Sequence, residues 1–449
     1  MQFIYISLLK VYNTIMPKSD TLAIFGGTPV INFLFEKFLT IDQTDVAEAN
    51  RVVKSGLLSQ FVGDTGDYFL GGPEVRTFEE QFAKKFETSF AVSVNSWTSG
   101  LWIAIGALEL EPGTEVITSA WTMAATATTL LHWNVVPVFA DIDNKTFNLS
   151  PIDVESKINS RTKAIVCPDI FGQSANIEAL LDICKKYNLS LISDAAQSPF
   201  ATRNGYFAGT ASHIGGFSFN YHKHIHTGEG GMIVTNDSNL AKRMQLLRNH
   251  GEVVLSKEPN LSKFFGIMGM NMRLGEIEAA IGKNQLLKLD SAVRSRQKAA
   301  ARFAKGLKDL HGLTVPYVEP NNTHVYYVFG IKIDENILGV NRSQLVSALK
   351  AEGVSDLIIG YQNLHKLPLF REQLTYRNNP IPYSLLPKKR ATELRNQKLP
   401  VAELLHNNTF FGINWCSRNL SDYEVDKLIE AFHKVWRNLH LLKNLNLQN

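Results

Sequence analysis

"KAIVCPDIFGQSANIEALLDICKKYNLSLISDAAQS", residues 163–198, holds two short apolar runs joined by a stretch of helical character. The first run, KAIVCPDI, reads as a strand, NIEALLDICKKYN as a helix, and LSLISD as a second strand. A strand, a helix of this length and a strand make the unit of a parallel sheet covered on both faces. The second strand ends in Asp194, followed by small residues and Gln197. A carboxylate at the carboxyl end of a buried strand lies where such a sheet presents its functional side chains.

The same alternation runs outward from this unit. "FAVSVNS" (90–96) precedes the helix-like "TSGLWIAIGALEL", "EVITSA" (115–120) precedes "TMAATATTLLHW", and "VVPVFADID" follows from Val135. "GGFSFN" (215–220) and "GGMIVTND" (230–237) lie too close together for a helix between them, so the sheet is expected to be mixed. From Arg273 to near Gly312 the pattern is helical, and a smaller α+β unit follows. "VYYVFGIKID" (325–334) is its strand and "NRSQLVSALKAEGV" (341–354) its helix. A capping box, Ser421 to Glu424, opens the last helix. Along it Val425, Leu428, Ile429, Phe432, Val435, Trp436 and Leu439 recur at helical spacing, which marks a core face. Segment 374–400 reads as a long loop. The expected division is an extension, 1–20, a large domain, 21–290, and a smaller C-terminal domain, 291–449. No internal repeat is visible.

Bulk composition bounds the function. The 449 residues are 45% apolar and 20% charged, with a formal net charge of +4, an ordinary globular balance. The densest basic run, "KKRATELR" from Lys388, contains a glutamate and reads as a solvated face rather than a nucleic-acid patch. No apolar run reaches the ~18 residues that span a membrane. Cys167, Cys184 and Cys416 form neither a CxxC pair nor a disulfide framework, which fits a reducing, cytoplasmic setting. The opening "MQFIYISLLKVYNTIM" lacks a basic n-region and a small-residue cleavage site. It reads as an arm, or as an upstream extension of a chain beginning at Met16, rather than as a signal peptide.

The chemistry concentrates in "FSFNYHKHIHTGEGG", residues 217–231. His222, His224 and His226 alternate and would share one face of a strand. A lysine between two of them would oppose a metal, and a catalytic zinc needs three well-placed ligands. "TGEGG" lacks the order of a phosphate-binding P-loop and reads as a tight turn into a strand. Lys223 remains. A lysine that forms a Schiff base and an aspartate that keeps a pyridinium nitrogen protonated are the pair that pyridoxal phosphate needs, and Asp194 supplies the second.

With "VNSWTSGLWIAIGAL", "PVFADID", "GMNMRLGEIEAAIG" and "LPVAE" added to these blocks, the chain resembles the DegT/DnrJ/EryC1/StrS family of pyridoxal-phosphate-dependent sugar aminotransferases. The resemblance covers nearly everything beyond residue 20, and it is most specific from Ser193 to Asp237. It implies the α/β, fold-type I aminotransferase architecture: a large domain with a mixed, mostly parallel sheet and a smaller C-terminal α+β domain. It further implies pyridoxal 5'-phosphate carried on Lys223, with Asp194 at the ring nitrogen and Gln197 at the ring hydroxyl. The phosphate would sit on Thr98 and Ser99 at a helix start, with Ser218 opposite. Asn271 would reach the phosphate of a neighbouring subunit, which implies a homodimer with composite sites. Met123 stands where the family usually stacks an aromatic ring on the cofactor, with Trp121 close by. Trp97 stands where a small residue is usual, Asp169 where histidine is frequent, and His224 where asparagine is common.

The activity implied is transfer of an amino group from glutamate or glutamine to a keto sugar, nucleotide-linked, with no nucleic acid or membrane as partner. Rivals are a keto-cyclitol acceptor of the scyllo-inosose kind and a catalytically idle regulatory protein on the same fold. Lys223 argues against the family's dehydratases, which carry histidine there. The absence of GxGxxG after an early strand removes a dinucleotide-dependent oxidoreductase.

Overall fold

A computed structural model describes residues 20–445 apart from 265, 378 and 444. The expectations for residues 1–15 and for Met16 as a start lie outside the described residues.

The chain first forms helix α1 (Gln43–Ser55), whose N-cap Asp42 and N3 Asp45 satisfy each other's amides, and then α2 (Pro73–Lys85). β1 (Phe90–Val94) leads into α3 (Trp97–Ala107), β2 (Glu115–Ser119) into α4 (Ala125–His132), and β3 (Val136–Ala140) follows. β4 (Thr162–Pro168), α5 (Ile177–Tyr187) and β5 (Ser190–Asp194) are the strand–helix–strand unit of the opening stretch. β6 (Ile214–Ser218) and β7 (Gly231–Thr235) flank the lysine loop, and α6 (Ser238–Arg248) follows.

Seven strands form one sheet in the order β1-β7-β6-β5-β4-β2-β3. β7 runs antiparallel to both its neighbours and the remaining pairs are parallel, so the sheet is mixed as expected. Its strands are apolar on both faces because helices cover both, as in other buried parallel sheets.

The long helix α7 (Glu276–Gly306, 31 residues) runs through position 290 without a break. Beyond it, β8 (Leu313–Thr314), β9 (Phe329–Ile333), β10 (Leu357–Ile359) and β11 (Phe410–Ile413) form an antiparallel sheet in the order β8-β9-β11-β10. Helices α8 (Arg342–Ala351) and α10 (Asp422–Arg437) pack around it. The capping box at Ser421 is present, and Val425, Leu428, Phe432 and Val435 are buried.

Two elements differ from the sequence reading. Segment 374–400 is not one loop, because Lys388–Arg395 forms helix α9. Leu394 is buried in the core of the large sheet, and Arg390 donates through Nε and Nη2 to the fully buried Glu115 at 2.9 and 2.6 Å. Tertiary contacts fix a helix that its polar sequence leaves unmarked. In "VYYVFGIKID" only Phe329–Ile333 is regular strand. Residues 325–328 instead bond to the loop after β4: Val325 N–H donates to Gly172 O, and Tyr327 and Val328 N–H donate to Phe171 O.

Candidate active site

A cavity of about 270 Å³ opens at the carboxyl ends of β2, β4, β5 and β6 and the amino end of α3. This is where a doubly wound sheet presents its functional side chains. Lys223, Asp194, Gln197, Thr98, Ser218 and Met123 all line it. Trp97, Asp169 and His222, which the sequence also singled out, line it as well, and Thr126, Tyr327 and Tyr361, which the sequence did not, join them.

Lys223 is carried by the turn between β6 and β7, where its N–H donates to Asn220 O. The side chain is buried, with Nζ 4.4 Å from the centroid of the Tyr327 ring. Burial lowers its pKa to about 8, partly offset by the negative charge of Asp194. Asp194 ends β5, and burial pushes its carboxyl up. The Ala196 N–H, the Trp97 indole, the Lys223 charge and the Thr126 hydroxyl pull the other way. Gln197 is held from both sides: Oε1 accepts the Phe171 N–H at 2.9 Å, and Nε2 donates to the Tyr361 hydroxyl at 3.3 Å. Phe171 takes a left-handed backbone (φ 61°), uncommon for a bulky residue, and its bonds to Gln197 and Tyr327 pin that turn in place.

Ser96 caps α3 by accepting the Ser99 N–H at 3.1 Å. The amides of Trp97 and Thr98 lie within the first turn, where N–H groups have no intrahelical acceptor. Thr98 lines the cavity beside them. Ser99 is not among the lining residues; its hydroxyl donates to Asn95 Oδ1 at 2.6 Å. Asn271 is likewise not among them: it is exposed, and its Oδ1 accepts the Arg273 Nε–H at 2.8 Å. Trp121, expected near the cofactor, is fully buried in an aromatic cluster with Phe147, Phe171, Tyr361 and Phe410. Its indole donates to Asn363 Oδ1 at 2.9 Å, and it is not among the residues lining the cavity.

The three histidines diverge. His222 lines the cavity, and burial followed by the Lys223 charge lowers its pKa to about 4. His224 is fully buried, with Nε2 2.9 Å from Val325 O, and His226 Nδ1 accepts the Gly228 N–H at 3.3 Å. No group of three or more His, Cys, Asp or Glu among the described residues is placed to hold a metal ion. Asp169 is 1% exposed; its Oδ1 accepts the Ala175 N–H at 2.7 Å, and burial raises its pKa to about 7.

This donor set fits pyridoxal phosphate. A buried carboxylate and a buried amine share one cavity, which Thr98 and Ser218 also line together with a helix start whose free amides favour an anion. Gly231 allows that helix start to lie against β7, since a Cβ there would come within 2.7 Å of the Trp97 nitrogen.

Comparison with known proteins agrees with this chemistry. A family model described as the DegT/DnrJ/EryC1/StrS aminotransferase family matches residues 57–399. The spore coat polysaccharide biosynthesis protein SpsC of Bacillus subtilis is 32% identical, over 90% of this chain and 97% of its own. A putative L-glutamine:3-amino-2,3-dideoxy-scyllo-inosose aminotransferase of Streptoalloteichus tenebrarius is 32% identical, over 95% and 100%. Among solved structures, DesI crystallised with its TDP-sugar product superposes with a TM-score of 0.74 at 27% identity, covering 95% of this chain and 98% of that one. The architecture is that of the fold-type I aminotransferases.

Proposed function

Since the chain belongs to the DegT/DnrJ/EryC1/StrS aminotransferase family, and so is a pyridoxal-phosphate-dependent transaminase, we propose that it moves an amino group from glutamate or glutamine to a nucleotide-linked keto sugar. The observation that carries this reading is the pairing of Lys223 and Asp194 across one buried cavity. The bound cofactor supplies an electron sink that neither side chain has.

Around it the chain's own residues divide the work. Lys223 holds the cofactor and moves the proton at its Nζ; a pKa near 8 suits an amine that must both take and give a proton near neutral pH. Asp194 faces the ring nitrogen and keeps it charged. Gln197 orients the ring hydroxyl from a position fixed by Phe171 and Tyr361. Thr98 and the α3 amides bind the phosphate, with Ser99 bracing the cap and Ser218 opposite. Met123, 64% exposed at the cavity mouth, covers the ring face with a polarizable thioether.

Two copies complete the site in this reading, with Asn271 offered to the phosphate held by the partner subunit. Its exposure, next to the exposed Met270 and close to the exposed Met268, supports that placement. A keto-cyclitol is the second acceptor class, favoured by the full-length match to the scyllo-inosose enzyme.

One experiment separates these readings. The holoenzyme is converted with glutamate or glutamine, the donor is removed, and the return of visible absorbance is followed on adding keto compounds. Return with nucleotide-linked keto sugars alone supports the proposal, and return with scyllo-inosose alone moves the assignment to cyclitols. No return with either class favours the idle protein.

A further inference from the structure

Asp194 is 7% exposed, and its two oxygens are served differently. Oδ1 accepts the indole N–H of Trp97 at 2.6 Å and the Ala196 N–H at 3.2 Å, whereas Oδ2 accepts the Thr126 hydroxyl at 3.2 Å. Trp97 is 5% exposed, and its ring fills a slot made by two glycines. A Cβ on Gly216 of β6 would come within 1.8 Å of the ring, and one on Gly100 within 2.5 Å. An indole has one polar atom, a donor, and burial obliges it to find an acceptor. Here the acceptor is the carboxylate assigned to the cofactor.

We infer that Trp97 is a positioning residue for Asp194, whose N–H fixes the carboxylate plane and occupies Oδ1, leaving Oδ2 to meet the ring nitrogen. The inference rests on the assignment of Asp194 to that nitrogen. A donor to an ionised oxygen makes a short, charge-assisted bond and favours the ionised form against burial. The other groups facing Asp194 are Lys223 from the β6–β7 turn, Cys167 and Asp169 from the end of β4, and Tyr361. Lys223 favours the charge on Asp194, and an ionised Asp169 opposes it. Burial pushes the thiol of Cys167 and the phenol of Tyr361 up, so both stay neutral. Removing the indole N–H therefore raises the pH at which Asp194 takes a proton, and a protonated Asp194 no longer balances a charged ring nitrogen.

The test compares holoenzymes of the unaltered chain, Trp97→Phe and Asp194→Asn. Cofactor loss on dialysis and visible absorbance are followed as the pH is lowered from about 8 into the acid range. Trp97→Phe is expected to lose cofactor about tenfold faster near neutrality. Its retention should also collapse about one pH unit higher than in the unaltered enzyme. Loss that is faster by the same factor at every pH reports only a packing role and overturns the inference, as does unchanged retention. Asp194→Asn should lose cofactor quickly at every pH; if it retains cofactor normally, the assignment of Asp194 has failed, and the inference with it. A readout without substitution is the Trp97 indole N–H resonance of the unaltered holoenzyme. It should lie downfield, as a proton donated to a carboxylate at 2.6 Å does, and a resonance at the position of a free indole overturns the inference.

Discussion

The Nζ of Lys223 lies 4.4 Å from the centroid of the Tyr327 ring, so the amine assigned to hold the cofactor meets an aromatic face contributed from beyond α7. An ammonium over an aromatic face is favoured by roughly 1–2 kcal/mol when desolvated. Tyr327→Leu should therefore lower the Lys223 pKa further below about 8 and cost about tenfold in kcat. Tyr327→Phe, which keeps the face, should stay close to the unaltered enzyme. The pH dependence of single-turnover rates would check this, and equal profiles for Leu and Phe would exclude a role for the face.

Lys223 should cost stability in the cofactor-free chain. Its folded pKa, about 8, lies below the ordinary 10.5. Below pH 8 both states hold the proton and the full penalty applies. Between about 8 and 10.5 the unfolded chain binds more protons, so stability rises with pH. Lys223→Met should stabilise the cofactor-free protein at pH 7 by on the order of 2–3 kcal/mol, a gain that shrinks toward pH 10. Chemical denaturation at two pH values measures it, and a gain that grows with pH would refute it.

If two copies complete the site as proposed, Asn271→Ala should speed cofactor loss several-fold without altering the melting temperature. The side chain is exposed, and the hydrogen bond it accepts from Arg273 is local. A monomer that retains pyridoxal phosphate in sedimentation would rule out the composite site.

Glu352 and Lys434 form a buried ion pair at 3.0 Å that also ties down the N-terminal segment. Glu352 Oε1 accepts the Ala23 N–H at 2.8 Å and Oε2 the Val30 N–H at 3.1 Å, while Lys434 donates to Thr28 O at 2.7 Å. Glu352→Gln leaves a buried ammonium without its counter-charge and should cost about 3–5 kcal/mol. Adding Lys434→Met should recover much of that loss. Urea unfolding of the single and double variants tests it, and simple additivity would show that the two charges are not coupled.

The sequence by itself determined the mixed sheet, because alternating strands and helices are local patterns and the short gap between β6 and β7 admits no helix. It also singled out Lys223 and Asp194, since each lies beside a strand end that apolar runs define. It left the α9 helix unmarked, because that helix depends on Leu394 and on Arg390 reaching a buried Glu115 275 residues away. Only the tertiary structure decided that Trp97 serves Asp194 across 97 residues, that Tyr327 covers Lys223, and that Tyr361 holds Gln197. It also sent the alternating His222, His224 and His226 to three separate surroundings. The physical reason is common to these cases. Periodicity and capping act over a few residues and can be read along the chain, whereas a donor's acceptor or a cation's aromatic face is chosen by packing between distant segments.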